Sequence, residues 1–136
     1  MVRIQYTLLK YLNRVQMSGI FAVIEFMQGK TWEEIMFTSG SGAFSEKPKQ
    51  SDAGISYTQE VQCNIASDNK EILSMIDKLE HSDIVIRVMY NSGEWKVFGI
   101  QNIPVKLETE IDVRKSGGYK LTFSSESINR ACFLNN

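Results

Sequence analysis

Two stretches of the chain alternate apolar and polar side chains with a period of two, and this pattern constrains the fold more than any other feature. In residues 55–65 the apolar side chains are Ile55, Tyr57, Val61, Cys63 and Ile65, with Gln59 as the one break. In residues 105–114 the polar side chains are Lys106, Glu108, Glu110, Asp112 and Arg114. Successive side chains of a β-strand point to opposite faces, so each stretch predicts a strand with one face on a core and one in water.

Further strands are predicted where β-branched and aromatic residues cluster between turn residues, at 20–27, 32–38, 84–90, 95–100 and 119–123. The turn Gln28-Gly29-Lys30 predicts that the first two of these pair as a hairpin. Asn91-Ser-Gly-Glu94 predicts a second hairpin. After residue 123 the pattern indicates only a polar tail.

One amphipathic helix is predicted at about residues 69–80. Asp68 is the expected N-cap, and Glu71 three residues later completes a capping box. The apolar side chains of one face are Ile72, Leu73, Ile76 and Leu79. A helix with a single apolar face is expected to lie on a sheet.

Two segments carry weaker signals. Residues 1–18 fit a strand by the alternation of Ile4, Tyr6 and Leu8, but apolar residues also recur there at helical spacing. We expect a strand or an irregular N-terminal arm suited to docking on a neighbouring subunit. Residues 38–54 are rich in Ser, Gly, Lys and Pro and predict a long mobile loop.

The order of elements predicts one domain spanning residues 1–136. Alternating strands joined by short turns favour antiparallel pairing over a parallel sheet. The predicted fold class is therefore mainly β (α+β), an antiparallel β-sandwich or barrel of about seven strands with one helix.

Composition and charge exclude several function classes. Fifteen basic and sixteen acidic residues leave a formal charge of −1, which gives no overall field for nucleic acid, so no sequence-specific nucleic-acid partner is expected. The longest apolar stretch is far shorter than a membrane-spanning helix, so no membrane partner is expected either. The two cysteines, Cys63 and Cys132, predict buried thiols rather than a disulfide framework. A cytoplasmic site of synthesis is the expectation.

Residues able to carry catalysis are few. The single histidine, His81, falls at the predicted end of the helix, where a surface cap is the favoured interpretation over a general base. A pairing of His81 with Cys132 as a nucleophile is the less favoured alternative. One histidine and two distant cysteines do not supply a zinc site, and Gly40-Ser-Gly42 lacks the spacing of a phosphate loop.

Two further sets of residues have a functional and a structural interpretation. Glu108, Glu110 and Asp112 share one strand face, which fits a solvated or subunit-contact surface better than a metal or acid–base site. Trp32 and Trp95 fit core packing better than sugar stacking. We therefore assign no catalytic, cofactor-binding or metal-binding residue, expect no cofactor and no enzyme activity, and regard a small-molecule ligand as disfavoured.

The strand and turn patterns of Gly93-Glu-Trp-Lys-Val-Phe-Gly99 and Gly118-Tyr-Lys-Leu-Thr-Phe123 resemble small structural proteins of tailed bacteriophages and prophages, especially tail-tube and tail-assembly components. The resemblance extends from about residue 19 to residue 128. It implies a virion location and self-assembly into a tail or virion ring, either as a homo-oligomer or with other phage structural proteins. In such rings sheets join edge to edge, and a long loop, here 38–54, reaches the next ring. The alternative function is a β-sandwich module that binds a carbohydrate or a peptide.

Overall fold

The computed structural model describes residues 2–100, 105–111 and 118–135. Within these ranges the chain has one α-helix, α1 (Lys70–Glu80), and a single 3-10 turn, Leu9–Tyr11. The strands in the same ranges are β1 (Arg3–Leu8), β2 (Leu12–Ser18), β3 (Phe21–Phe26), β4 (Glu33–Ile35), β5 (Ala43–Ser51), β6 (Gly54–Ile65), β7 (Ile84–Met89), β8 (Trp95–Phe98), β9 (Lys106–Ile111), β10 (Tyr119–Ser127) and β11 (Cys132–Leu134).

The strands form two sheets. A curled seven-stranded sheet has the order β2-β3-β11-β8-β7-β1-β4, and a four-stranded sheet has the order β5-β6-β10-β9. All of these pairings are antiparallel except that of β11 with β3. The predicted fold class is confirmed: the chain is mainly β and is built as a β-sandwich or half-barrel, and the described residues include one helix. Their strands number eleven, against the predicted seven or so.

The main core lies between the two sheets. Its fully buried side chains include Ile4, Ile86 and Val88 from the seven-stranded sheet and Val61, Leu121 and Phe123 from the four-stranded sheet. Burying each such side chain stabilises the fold by about 1.5–3 kcal/mol relative to exposure. The alternation predicted for residues 55–65 is confirmed at Val61, Cys63 and Ile65, which all point into this core.

A second apolar cluster fills the inside of the curl, on the opposite face of the seven-stranded sheet. Its buried members are Ala22, Ile24, Val85, Val97 and Cys132. Strand β7 therefore contributes to both clusters: Val85 faces one and Ile84 and Ile86 face the other. This double burial explains why residues 84–90 read as an almost continuous apolar run.

The predicted helix is confirmed, with corrections at its cap and its apolar face. Asn69, not Asp68, is the N-cap, because its side chain accepts a hydrogen bond from the Ile72 amide at 2.9 Å. Asp68 instead accepts a hydrogen bond from the Tyr119 hydroxyl. Ile76 and Leu79 are buried as predicted, while Leu73 is 52% exposed.

The hairpin predicted between residues 20–27 and 32–38 is wrong. β3 pairs with β2 and β11, whereas β4 pairs with β1 at the opposite end of the sheet. The turn after Met27 does form, with the Lys30 amide donating to the Met27 carbonyl at 3.1 Å. Turn residues set the local chain reversal, but the burial of Ile35 beside Ile4 selects the strand partner.

Three polar or ambiguous segments turned out to be strands. Residues 1–18 contain β1, which is buried from Ile4 to Leu8, and β2. Residues 38–54 are not a long loop, because β5 occupies 43–51 at the edge of its sheet. The expected polar tail contains the end of β10 and all of β11. Of these strands, β2 and β5 lie at sheet edges, where little of a strand is buried, so apolar alternation reveals them poorly.

The strand predicted for residues 105–114 is described only as far as Ile111. Residues 112–114 lie outside the described ranges, so the predicted positions of Asp112, Val113 and Arg114 stay predictions. Within β9 the apolar face is partly exposed, and Ile111 is 45% exposed. The last residues of β9 therefore lie outside the core.

Candidate functional site

A long β-hairpin extends beyond the body of the sandwich. Every residue from 47 to 55 is exposed, so both faces of this part of β5 and β6 contact solvent. We call residues 47–55 the projecting hairpin. Ser51 pairs with Gly54, which leaves a two-residue turn, and Gly54 has φ +116°. Glycine adopts this conformation at low cost, so the sequence favours a tight turn at the tip.

The root of the projecting hairpin is fixed by a buried carboxylate. The Glu46 side chain is only 7% exposed. It accepts hydrogen bonds from the Ala131 amide at 2.7 Å, from Gln59 Nε2 at 3.1 Å and from the Arg130 guanidinium at 3.2 Å. Because residues 129–131 lead into β11, Glu46 ties the hairpin to the strand that crosses into the other sheet. Beside it, Gln59 and Cys132 line a cavity of about 20 Å³, which is room for one water molecule.

The opposite edge of the same sheet is β9. The last four residues of this strand, 108–111, are all exposed. Within the described part of the chain, β9 pairs with β10 on one side and with no strand on the other, and α1 also contacts β9. An edge of this kind presents main-chain amide and carbonyl groups that can pair with another chain.

The outer face of the four-stranded sheet, which points away from the core, carries mainly polar side chains. The pairing register places equal numbers of basic and acidic side chains on it: Lys47, Lys49, Lys106 and Lys120, and Glu60, Glu108, Glu110 and Glu126. The basic pair Lys47 and Lys49 lies on the β5 edge, and the acidic pair Glu108 and Glu110 lies on the β9 edge. On the outer face the β5 edge is therefore basic, and the β9 edge, where Lys106 precedes the two glutamates, is net acidic.

His81 is the C-cap of α1, as the sequence predicts. Its Nδ1 lies 2.8 Å from the Asp77 carbonyl oxygen and 3.5 Å from the Asp77 carboxylate. The backbone hydrogen bond and the adjacent carboxylate raise the pKa of His81. The ring is exposed, and its contacts stabilise the imidazolium at a helix end.

The two cysteines are buried free thiols, which confirms the prediction of structural cysteines. Burial raises the pKa of Cys63 to about 12. Burial and the nearby Glu46 carboxylate raise the pKa of Cys132. A thiol needs its thiolate form to act as a nucleophile, and both sites disfavour that form.

Glu108 and Glu110 are exposed on β9, and Asp112, their predicted companion, lies outside the described ranges. Among the residues that the structure describes, no group of three or more His, Cys, Asp or Glu side chains is placed to hold a metal ion.

Both tryptophans are half-buried around Arg87, a contact that sequence reasoning missed. The Arg87 guanidinium carbon lies 4.0 Å from the Trp95 ring centroid and 4.6 Å from that of Trp32. Arg87 Nε also donates to Gln5 Oε1 at 2.7 Å. Burial lowers the pKa of Arg87 to about 10. The guanidinium covers one face of each indole, so neither ring offers that face to a sugar.

Comparison with protein-family models, with curated protein sequences and with solved structures finds no match to this chain. In the described portion of the chain, no helix combines the length and the apolar character that crossing a membrane requires.

Proposed function

We propose that this chain is a structural subunit of a phage or prophage particle, which acts by self-assembly into a tail or virion ring and performs no catalysis. The observation that carries the proposal is the projecting hairpin. The resemblance implies that residues 38–54 reach the next ring. An ordered hairpin in this segment suits that role, because its strands are already formed before contact.

The physical reason is the marginal stability of a two-stranded ribbon in water. A hairpin without a third strand or a covering layer gains little from burial. Residues 47–55 are exposed on both faces in the single chain, so packing against another subunit would bury surface that the fold leaves uncovered. The buried Glu46 carboxylate at the root holds the hairpin in a defined direction, which lowers the entropy cost of docking.

The alternative function, a module that binds a carbohydrate, is less favoured because Arg87 occupies one face of Trp32 and of Trp95. A peptide could add to a sheet edge by strand pairing. The assembly experiments below distinguish this case, because a peptide-binding module stays monomeric at high concentration.

The test compares the wild-type chain with a variant whose residues 48–57 are replaced by Asn-Gly. Lys47 and Thr58 are directly paired, and they lie an even number of residues from the pair Ser51 and Gly54 that closes the native turn. They therefore belong to the same hydrogen-bonded set, and a two-residue turn can close the shortened hairpin at this pair. Light scattering after gel filtration and negative-stain electron microscopy should show concentration-dependent rings or tubes for the wild type. The shortened variant should remain monomeric with an unchanged melting temperature.

Leu73→Ser serves as the control, since Leu73 is an exposed apolar residue on α1. It should assemble like the wild type. If the wild-type chain stays monomeric at high concentration, the proposal is wrong. Equal assembly of the shortened variant, or equal loss in Leu73→Ser, would contradict the role of the hairpin.

Limited proteolysis gives a second readout. Trypsin should cut the monomer after Lys49, while Lys47 is protected by the following Pro48. Assembly should slow the cut after Lys49, and an unchanged rate would count against burial of the hairpin.

A further inference from the structure

The two edges of the four-stranded sheet differ in charge on the same face. Lys47 and Lys49 project from the β5 edge, and Glu108 and Glu110 project from the β9 edge. All four side chains are exposed, and the pairing register places all of them on the outer face of the sheet. Opposite charges across a strand pair are favourable and like charges are unfavourable.

Strand direction permits these two edges to meet. Every pairing within β5-β6-β10-β9 is antiparallel, so β5 and β9 run in opposite directions. When a second copy is placed beside the first in the same orientation, its β5 runs antiparallel to β9. The outer face of the second copy's four-stranded sheet then lies on the same side as the outer face of the first copy's sheet.

We infer that β5 of one copy pairs with β9 of the next, with Lys47 opposite Glu110 and Lys49 opposite Glu108. This inference rests on the proposed function, and it names the partner as a second copy of the same chain. In this register Pro48 lies opposite Thr109, and because proline has no N–H this pair supplies one main-chain hydrogen bond fewer than an ordinary pair. A shift by one residue turns one set of charges to the other face, and a shift that sets Lys47 opposite Glu108 brings Lys49 opposite Lys106.

The same residues exclude other pairings. Lysine and proline on a sheet edge weaken strand addition by any partner, so this pairing depends on the opposite charges of the partner edge. Two β5 edges would bring Lys47 and Lys49 of both copies together, so the basic edge selects an acidic partner. The pairing is head-to-tail, because each copy uses a different edge for each neighbour, and such interfaces build rings or filaments.

The register also predicts curvature. Within the sheet, Glu110 pairs with Lys120, which pairs with Asn64, whereas Lys47 pairs with Thr58. Neighbouring copies are therefore offset by 64 − 58 = 6 residues along β6. Six residues rise about 20 Å, and four strands span about 19 Å, so the strands tilt by about 45°. This tilt is close to that of closed barrels, which favours a ring over a flat sheet.

Charge reversal tests the pairing. Lys47→Glu/Lys49→Glu and Glu108→Lys/Glu110→Lys should each weaken assembly by about tenfold or more. An equal mixture of the two variants should assemble again, because the acidic β5 of one meets the basic β9 of the other. A chain carrying all four substitutions should also assemble alone.

Lys120→Glu and Glu126→Lys are the controls, since they reverse charges on the outer face of the middle strand β10. Both should assemble like the wild type. Failure of the mixture and of the fourfold variant, with wild-type assembly intact, would overturn this pairing and leave the proposed function standing. A wild type that never assembles would overturn both.

Discussion

The buried carboxylate of Glu46 gives the most direct quantitative test of the fold. Glu46→Ala removes the acceptor for the Ala131 amide and for Gln59 Nε2, whose residues are 6% and 1% exposed. The buried Ala131 amide then has no acceptor, which costs about 1.5–3 kcal/mol. Gln59 Nε2 loses one of its two bonds and keeps the one to the Asn129 carbonyl oxygen at 3.0 Å. The third donor, Arg130, is 59% exposed and regains water.

The expected loss is therefore about 3–5 kcal/mol of the free energy of unfolding. That is a large share of the stability of a typical domain, about 5–15 kcal/mol. Urea denaturation followed by circular dichroism measures it directly. Glu46→Gln keeps one carbonyl oxygen at the same place and should lose about half as much.

Arg130→Ala is the matched control, because it removes only the exposed member of the ion pair and its contact with the Tyr57 ring. It should cost about 1 kcal/mol or less. If Glu46→Ala costs no more than Arg130→Ala, the two buried donors do not depend on Glu46 and the reasoning is refuted.

Two further changes probe the contacts that hold the sheets. Gly118→Ala should cost at least about 3 kcal/mol, because its Cβ would lie 2.0 Å from the Ile65 carbonyl oxygen. Gly19→Ala has open space and φ +60°, so its cost in a urea titration should be only about 1–2 kcal/mol, and equal costs would contradict the steric argument. Arg87→Lys should cost about 1–2 kcal/mol and shift tryptophan emission to longer wavelength, because an ammonium cannot stack flat between two rings. Arg14→Lys, at an exposed position of β2, should change neither the free energy of unfolding nor the emission wavelength. If Arg87→Lys also changes neither, that result would argue against the stacking.

Local patterns predicted those parts of the fold whose partners are close in sequence. The hairpin of β7 and β8 formed as its Asn/Gly turn indicates, and α1 formed where its apolar face indicates, with its N-cap one residue later than predicted. The alternation in β6 showed which side faces the core because β6 lies in the middle of its sheet. Local signals failed at edges, where β5 is polar because it is barely buried.

The candidate site shows the same division. The charges of Lys47, Lys49, Glu108 and Glu110 are visible in the sequence, and so is their position beside strand patterns. That they occupy opposite edges of one sheet, on one face, depends on pairing between β6 and β10, which are far apart along the chain. The stacking of Arg87 between Trp32 and Trp95 likewise joins three distant segments.

The sequence by itself determined that the chain forms strands with one helix, because side-chain periodicity and turn residues act within a few residues. Only the tertiary structure decided which strands are neighbours, since that choice depends on which apolar faces are buried together. Short β11 is the clearest case. No periodicity identifies three residues as a strand, yet they complete the seven-stranded sheet by filling the gap between β8 and β3.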